Sequence, residues 1–270
     1  MKLLLLLPAA ALQPGRQRYT TPPRCALDCC EWQAQHCATT YGRVVDWYEG
    51  DGAADVGNWG VAYDDYEAFV DEVAPRLGLA AGDAVFESAV GAGWLLRGLR
   101  RRLGALRVAG NDVSSAALDE ARRALPDGVF CVGDSLNLSW VPRRSYDAAL
   151  CGYVEAGAAT GKAEAELTGR WVREMARLVK PGGVVFVGNI RPPRAEADAG
   201  AGLYLKPPPG AEPADLEEVT RAWWRETAAS DAYGWGVDAA ATELVDLRSP
   251  TLVREWGPRY SVVMRKAVVT

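Results

Sequence analysis

Between residues 83 and 190 the chain alternates two spacings of apolar positions. Short runs in which nearly every position is apolar, "DAVFES", "LRVAGND", "GVFCVGD", "YDAALCGY" and "GVVFVGNI", predict buried strands. Between them lie stretches with helical spacing: "GWLLRGLRRRLG", "SSAALDEARRAL" opened by serine caps, and "AEAELTGRWVREMARLV" stopped by "KPGG". Strands that alternate with helices imply a mostly parallel, doubly wound α/β sheet covered on both faces. Ahead of this unit, residues 26–49 predict a helix whose Cys30, Ala34, Cys37, Tyr41, Val44, Val45 and Tyr48 share one face. "EGDGAADVGNWG" reads as a loop. "DDYEAFVDEVAPRLGL" reads as a second helix, capped by Asp64 and ending near Gly78. After the unit, residues 191–215 are rich in Pro, Ala and Gly and are expected to form a loop or lid. A helix carrying Trp223 and Trp224 is expected over 216–229. The chain closes with "TELVDLRS" and "RYSVVMRKAV", an expected antiparallel pair with Gly257 and Pro258 between them.

Composition narrows the picture. The 270 residues are 49% hydrophobic and 24% charged, with net charge −5, which suits one soluble domain with an extension. An acidic chain without a basic groove argues against nucleic acid as a partner. The densest basic run, Arg97–Gly104, reads as the solvated face of a helix. Residues 1–24, which open "MKLLLLLPAAALQPG", are read as a removable targeting segment or a disordered tail; without such a segment, a cytoplasmic location is expected. The apolar stretch is too short, and too broken by Pro8, for a permanent membrane span. Four of the six cysteines, Cys25, Cys29, Cys30 and Cys37, crowd into thirteen residues. Their spacing matches no zinc pattern, so no metal site is expected, and small apolar side chains on a helix are the favoured reading over a disulfide.

The chemistry gathers at the strand ends, where ligands bind in open α/β sheets. "VFESAVGAG" places Glu87 at the end of one strand, followed by Ala89, Gly91 and Gly93. A dinucleotide fingerprint fails here because Leu96 stands where its third glycine belongs, and no G-K-[ST] follows to make a P-loop. Glu87 would repel a pyrophosphate and welcome a cationic group. Asp112 ends the next strand, where a carboxylate can accept hydrogen bonds from two ribose hydroxyls. Asp134 ends the third, where it can hold an adenine amino group.

Taken in order, these motifs resemble the class I, Rossmann-like S-adenosylmethionine-dependent methyltransferases, of the type 11-like kind. "VFESAVGAG" is similar to their first motif, "VAGNDVS" to the second, "CVGDSLNL" to the third, and "REMARLVKPGGVVFVGNI" to the helix, turn and fifth strand. The resemblance covers residues 65–270 and leaves 25–64 as an N-terminal helical cap. It implies a seven-stranded sheet with the last strand antiparallel and S-adenosyl-L-methionine as cofactor. It implies cofactor-binding roles for Glu87, Ala89, Gly91, Gly93, Asp112, Val113, Asp134, Ser135, Cys151 and Gly152. Ala89 departs from the family's first glycine, which is tolerable at negative φ and costly otherwise.

Methyl transfer is an in-line displacement whose main demand is alignment, so the absence of an evident catalytic triad is no objection. A small-molecule acceptor is expected over the ends of the fourth and fifth strands, lined by Trp59, Tyr63, Tyr153 and Asn189. His36, Tyr153 and Glu155 are the candidates for a catalytic role. The competing readings are an NAD(P)-dependent oxidoreductase, a methyltransferase acting on protein, and a non-catalytic binding or scaffold relative of the fold, which Ala89 would support.

Overall fold

A computed structural model describes residues 35, 37, 63–152, 164–190, 213–246 and 260–268. The main unit begins with α1 (Tyr63–Leu77), then runs β1 (Ala84–Ser88), α2 (Trp94–Leu103), β2 (Arg107–Asp112), α3 (Ser115–Ala124), β3 (Val129–Val132) and β4 (Tyr146–Cys151). It continues through α4 (Glu164–Leu178), β5 (Val179–Ile190), α5 (Pro213–Ser230), β6 (Val237–Asp246) and β7 (Tyr260–Lys266). The seven strands form one sheet in the order β3-β2-β1-β4-β5-β7-β6. β1 to β5 pair in parallel, and β7 runs antiparallel to both β5 and β6. The order reverses at β1 and β4, which makes their carboxyl ends the topological switch point.

Both faces of the sheet are covered, as its apolar runs require. Every residue of β1 is buried. Its side chains alternate with the strand period of two. Val85 joins a core with α1, α2 and α3, whereas Phe86 joins Ala109, Cys131 and Trp140 on the opposite side. Farther along that second face, Trp171 and Met175 of α4 and Trp224 of α5 pack on β4, β5 and β7. Leu95, Leu96 and Leu99 fix α2 to the sheet with no exposed surface. Each such burial contributes about 1.5–3 kcal/mol, so Leu99→Ala should cost about 2–5 kcal/mol. On its outer face α2 presents the basic run, and that run is paired. Arg100 meets Asp127, Arg101 meets Glu67, and Arg102 meets Glu67 and Asp71, while Arg97 lies over the Trp94 ring.

Three boundaries differ from the sequence expectation. α1 starts at Tyr63 rather than after a cap at Asp64. α5 starts at Pro213, so residues 213–215 belong to the helix and not to the preceding loop. Proline suits a first helical turn, whose N–H has no partner to lose. β5 starts at Val179, directly after α4, because Tyr146 already pairs with Val179. The register then jumps to Ala148 with Val184, and "KPGG" is looped out as a bulge with Gly182 at φ 79°.

Candidate functional site

β1, β2 and β3 each deliver a carboxylate to the same edge of the sheet. Glu87, Asp112 and Asp134 are all buried, at 2%, 8% and 7% exposure. The turn after β1 brings the first two together. Gly91 adopts φ 52° and Gly93 φ 76°, the left-handed region open to glycine. A side chain at Gly93 would press on Leu125 and Ala121 of α3, whereas one at Gly91 would enter open space. Gly91 is therefore the place where a ligand can approach the backbone. Ala89, the departure from the family pattern, also has positive φ, at 55°. The turn keeps its glycine geometry without the glycine and stores strain at that residue.

Asp112 holds this turn. Its Oδ2 accepts a hydrogen bond from the Gly91 N–H at 2.8 Å, and its Oδ1 accepts one from the Ser114 N–H at 3.0 Å. Ser114 in turn caps α3, its Oγ accepting from the Ala117 N–H at 3.2 Å. Each carboxylate oxygen can still accept a second bond. Burial raises the Asp112 pKa, and bonds from the Ser114, Gly91 and Val113 backbone pull it part of the way back.

Glu87 has a different neighbour. Burial holds its carboxyl well above the usual carboxylate range, against backbone hydrogen bonds from Gly152 and Leu96 that favour the ionised form; the Asp112 charge raises it further. Leu96 lies in the first turn of α2, where N–H groups lack intrahelical partners. The N-cap of that helix, Gly93, provides no side-chain cap. Glu87 thus stands at the helix N-terminus, the position that receives pyrophosphate in a dinucleotide fold. Its Oε2 has no hydrogen-bond partner. Beside it, Ser88 is fully buried and accepts at 3.0 Å from Trp171 Nε1, tying the end of β1 to α4.

Asp134 begins a turn of its own, with Oδ1 accepting from the Leu136 N–H at 2.8 Å. Ser135 and Val113 are half-buried beside the two carboxylates that precede them. Cys151 and Gly152, at the end of β4, are buried. Sequence reasoning missed two residues here. Cys37, a helical position, is fully buried, and its thiol pKa is pushed up to about 12 by burial and by the Asp134 and Asp112 charges. The thiol therefore lies near both carboxylates. Asn111, also fully buried, reaches the Asp134 loop. Its polarity inside an apolar strand was the available signal. Tyr63 opens α1 and Asn189 lies within β5, but their side chains are outside the described set. His36, Trp59, Tyr153 and Glu155, and most of 25–64 and 191–215, also lie outside the described residues. No group of three or more His, Cys, Asp or Glu that could hold a metal occurs among the described residues, and no described helix is long and apolar enough to cross a membrane.

The donor and acceptor set fits an adenosyl ligand that also carries an ammonium group. It offers buried acceptors for a diol, an amine and a cation, one of them unpartnered, plus an open approach at Gly91. Known proteins point the same way. The family profile described as "Methyltransferase domain" matches residues 85–183, from β1 into β5. The demethylmenaquinone methyltransferase of Thermotoga maritima is 32% identical over 126 residues, which are 46% of this chain and 52% of that protein. The chain therefore spans about half the length of this curated relative. Among solved structures, a chain of the Haloferax volcanii complex of the Trm112 methyltransferase activator shares the fold at TM-score 0.56 and 19% identity, covering 84% of this chain and 99% of that one. The magnesium protoporphyrin IX methyltransferase of Synechocystis PCC 6803 does so at TM-score 0.52 and 16% identity, covering 84% and 100%. The fold is that of the Rossmann-like methyltransferases. Residues 85–183 match the methyltransferase-domain profile, and within them lie Glu87, Asp112 and Asp134.

Proposed function

We propose that this protein transfers a methyl group from S-adenosyl-L-methionine to a small-molecule acceptor. The observation that carries this reading is the set of three buried carboxylates at successive strand ends around the glycine turn. Bound there, the cofactor supplies a methyl group on a sulfonium, which an acceptor atom displaces in line. Asp112 accepts from the ribose hydroxyls through the lone pairs left over from Gly91 and Ser114. Asp134 accepts from the adenine amino group. Glu87 offsets the positive charge at the amino-acid end from the N-terminus of α2. Val113, Ser135, Cys151 and Gly152 line the cleft between these points. The acceptor is assigned to the ends of β4 and β5, with Asn189, Tyr153, Trp59 and Tyr63 as its candidate lining from the sequence. Where the acceptor loses a proton, His36, Tyr153 or Glu155 is the candidate base.

Three features support a small molecule as acceptor. The net charge is −5. The basic face of α2 is engaged in ion pairs. The Thermotoga relative and the Synechocystis neighbour are named for small-molecule acceptors, demethylmenaquinone and magnesium protoporphyrin IX. The decisive experiment is calorimetric titration with S-adenosylhomocysteine, beside NADH and beside Asp112→Ala. The expected result is micromolar binding of S-adenosylhomocysteine, none of NADH, and a loss in the variant of tenfold or more, since a charge-assisted hydrogen bond contributes about 1.5–3 kcal/mol. A folded protein that binds neither ligand would favour the scaffold reading, and preference for NADH the oxidoreductase.

A further inference from the structure

We propose that Asn111 is the positioning residue for Asp134, and that through Asp134 it makes the site select a purine bearing an amino group. The inference rests on the cofactor reading above and goes beyond it to the residue that sets base selectivity.

Asp134 sits in a loop that one amide holds on both sides. Asn111 Nδ2 donates to the Gly133 carbonyl at 2.8 Å and to Ser135 Oγ at 3.1 Å. The two residues flanking Asp134 are thereby tied to a single side chain projecting from β2. The main chain adds only local stitching. The Gly133 N–H donates to the Asp112 carbonyl at 2.9 Å, and the Asn137 N–H donates to the Asp134 carbonyl at 3.0 Å. Trp140 closes the other side of the loop, since a Cβ on Gly133 would come within 2.8 Å of its ring. The Asp134 carboxylate therefore has a fixed place relative to β2.

Asn111 is a costly choice if its role were only to fill space. It is fully buried, and its Oδ1 has no hydrogen-bond partner. An unsatisfied buried carbonyl weakens a fold. An apolar residue of similar volume would spare that cost on the face where Ala109, Cys131 and Trp140 pack. What such a residue could not do is grip the loop at both ends.

The consequence for recognition is chemical. An ionised carboxylate only accepts hydrogen bonds. Adenine offers it the 6-amino donor, whereas hypoxanthine places an oxygen there that repels it and moves the donor to N1, so a carboxylate held at the 6 position favours adenine. Discrimination between the two depends on how firmly Asp134 is held in place. The ribose contact at Asp112 is anchored separately, through Gly91 and Ser114.

The test compares two ligands that differ only at the 6 position and the adjoining N1, which exchange donor for acceptor and acceptor for donor. The full chain, Asn111→Leu and Asn111→Ser are titrated with S-adenosylhomocysteine and with S-inosylhomocysteine. Asn111→Leu removes the donor on the same branched skeleton, and Asn111→Ser is too short to bridge both acceptors while remaining easy to accommodate. The wild type should prefer the adenosyl ligand by about tenfold or more. The variants should lose most of that preference, falling to within about threefold, mainly through weaker adenosyl binding. A variant that weakens both ligands equally and keeps the wild-type ratio would show a merely structural residue and overturn the inference, as would a wild type that binds both ligands alike. A folded wild type that binds neither would instead overturn the cofactor reading, and this inference with it.

Discussion

Replacing Ala89 by glycine tests the turn after β1 directly. Ala89 holds φ at 55°, and a residue with a Cβ in that region costs about 1–2 kcal/mol. Glycine removes this strain and brings two losses. It gives up one methyl half-buried against the Trp171 cluster, about 0.5 kcal/mol. It also adds freedom to the unfolded chain, about 0.5–1 kcal/mol. The sum is a variant between about 0.5 kcal/mol less stable and about 1 kcal/mol more stable. At an ordinary negative φ the strain term vanishes, and the same substitution destabilises by about 1–1.5 kcal/mol. The size of any loss therefore separates the two cases. Urea unfolding provides the measurement, with thermal melting as a check at about 2–4 °C per kcal/mol for a chain of this size. Affinity for S-adenosylhomocysteine should stay within about threefold, because Asp112 still holds the Gly91 N–H. A loss of 1 kcal/mol or more in Ala89→Gly would refute the strained turn.

Three further outcomes are expected. Glu87 and Asp112 have raised pKa values in the folded chain, so the stability they contribute is present below their ordinary values of 4.5 and 3.8 and is lost as pH rises through the folded ones. A ligand bringing a cation and hydroxyl donors favours the ionised forms, so its affinity should climb with pH above 4.5 and binding should release protons, measured by calorimetry in buffers of different ionisation enthalpy; flat affinity would remove Glu87 from the site. The Cys37 thiol, with its pKa near 12, should be alkylated slowly and faster by about tenfold per pH unit through the alkaline range, and S-adenosylhomocysteine should slow it further, as mass spectrometry of its peptide would show. Trp171→Phe keeps a ring in the core but strands Ser88 Oγ, and should cost about 1–3 kcal/mol in denaturant unfolding.

The strands were legible because a parallel sheet buries both faces, and the apolar runs stop where the chain reaches a carboxylate. Glu87, Asp112 and Asp134 stand out as charges closing such runs, so their gathering at the carboxyl ends of β1, β2 and β3 was legible in the sequence. The conformation of Ala89 was not. Residue type biases φ without fixing it, and here the turn's bonds, including the one between Gly91 and Asp112, decide it. "KPGG" reads as a plain stop, and only pairing with Tyr146 shows that the ladder resumes before it and loops it out. The neighbours of Glu87 were hidden for a related reason. Leu96 reads as core, which its side chain is, while its N–H belongs to the unsatisfied end of α2. The place of Cys37 and Asn111 beside the carboxylates escaped notice because their partners lie far along the chain or across the sheet, beyond the reach of any local period.

The position of Glu87 says most about what the cleft can hold. In a dinucleotide fold the first helix after β1 offers bare N–H groups, and a pyrophosphate completes it. Here the chain completes that helix itself with a carboxylate. Any further anion would face Glu87, Asp112 and Asp134 across a buried space, where like charges repel far more strongly than in water. The ligand must instead bring donors and positive charge. Before it arrives, burial favours a proton on Glu87, which removes one of the three charges that would otherwise repel one another. A cationic ligand then replaces that proton and adds the partner that Oε2 lacks. On this argument the end of β1 disfavours a phosphate and suits a cationic group.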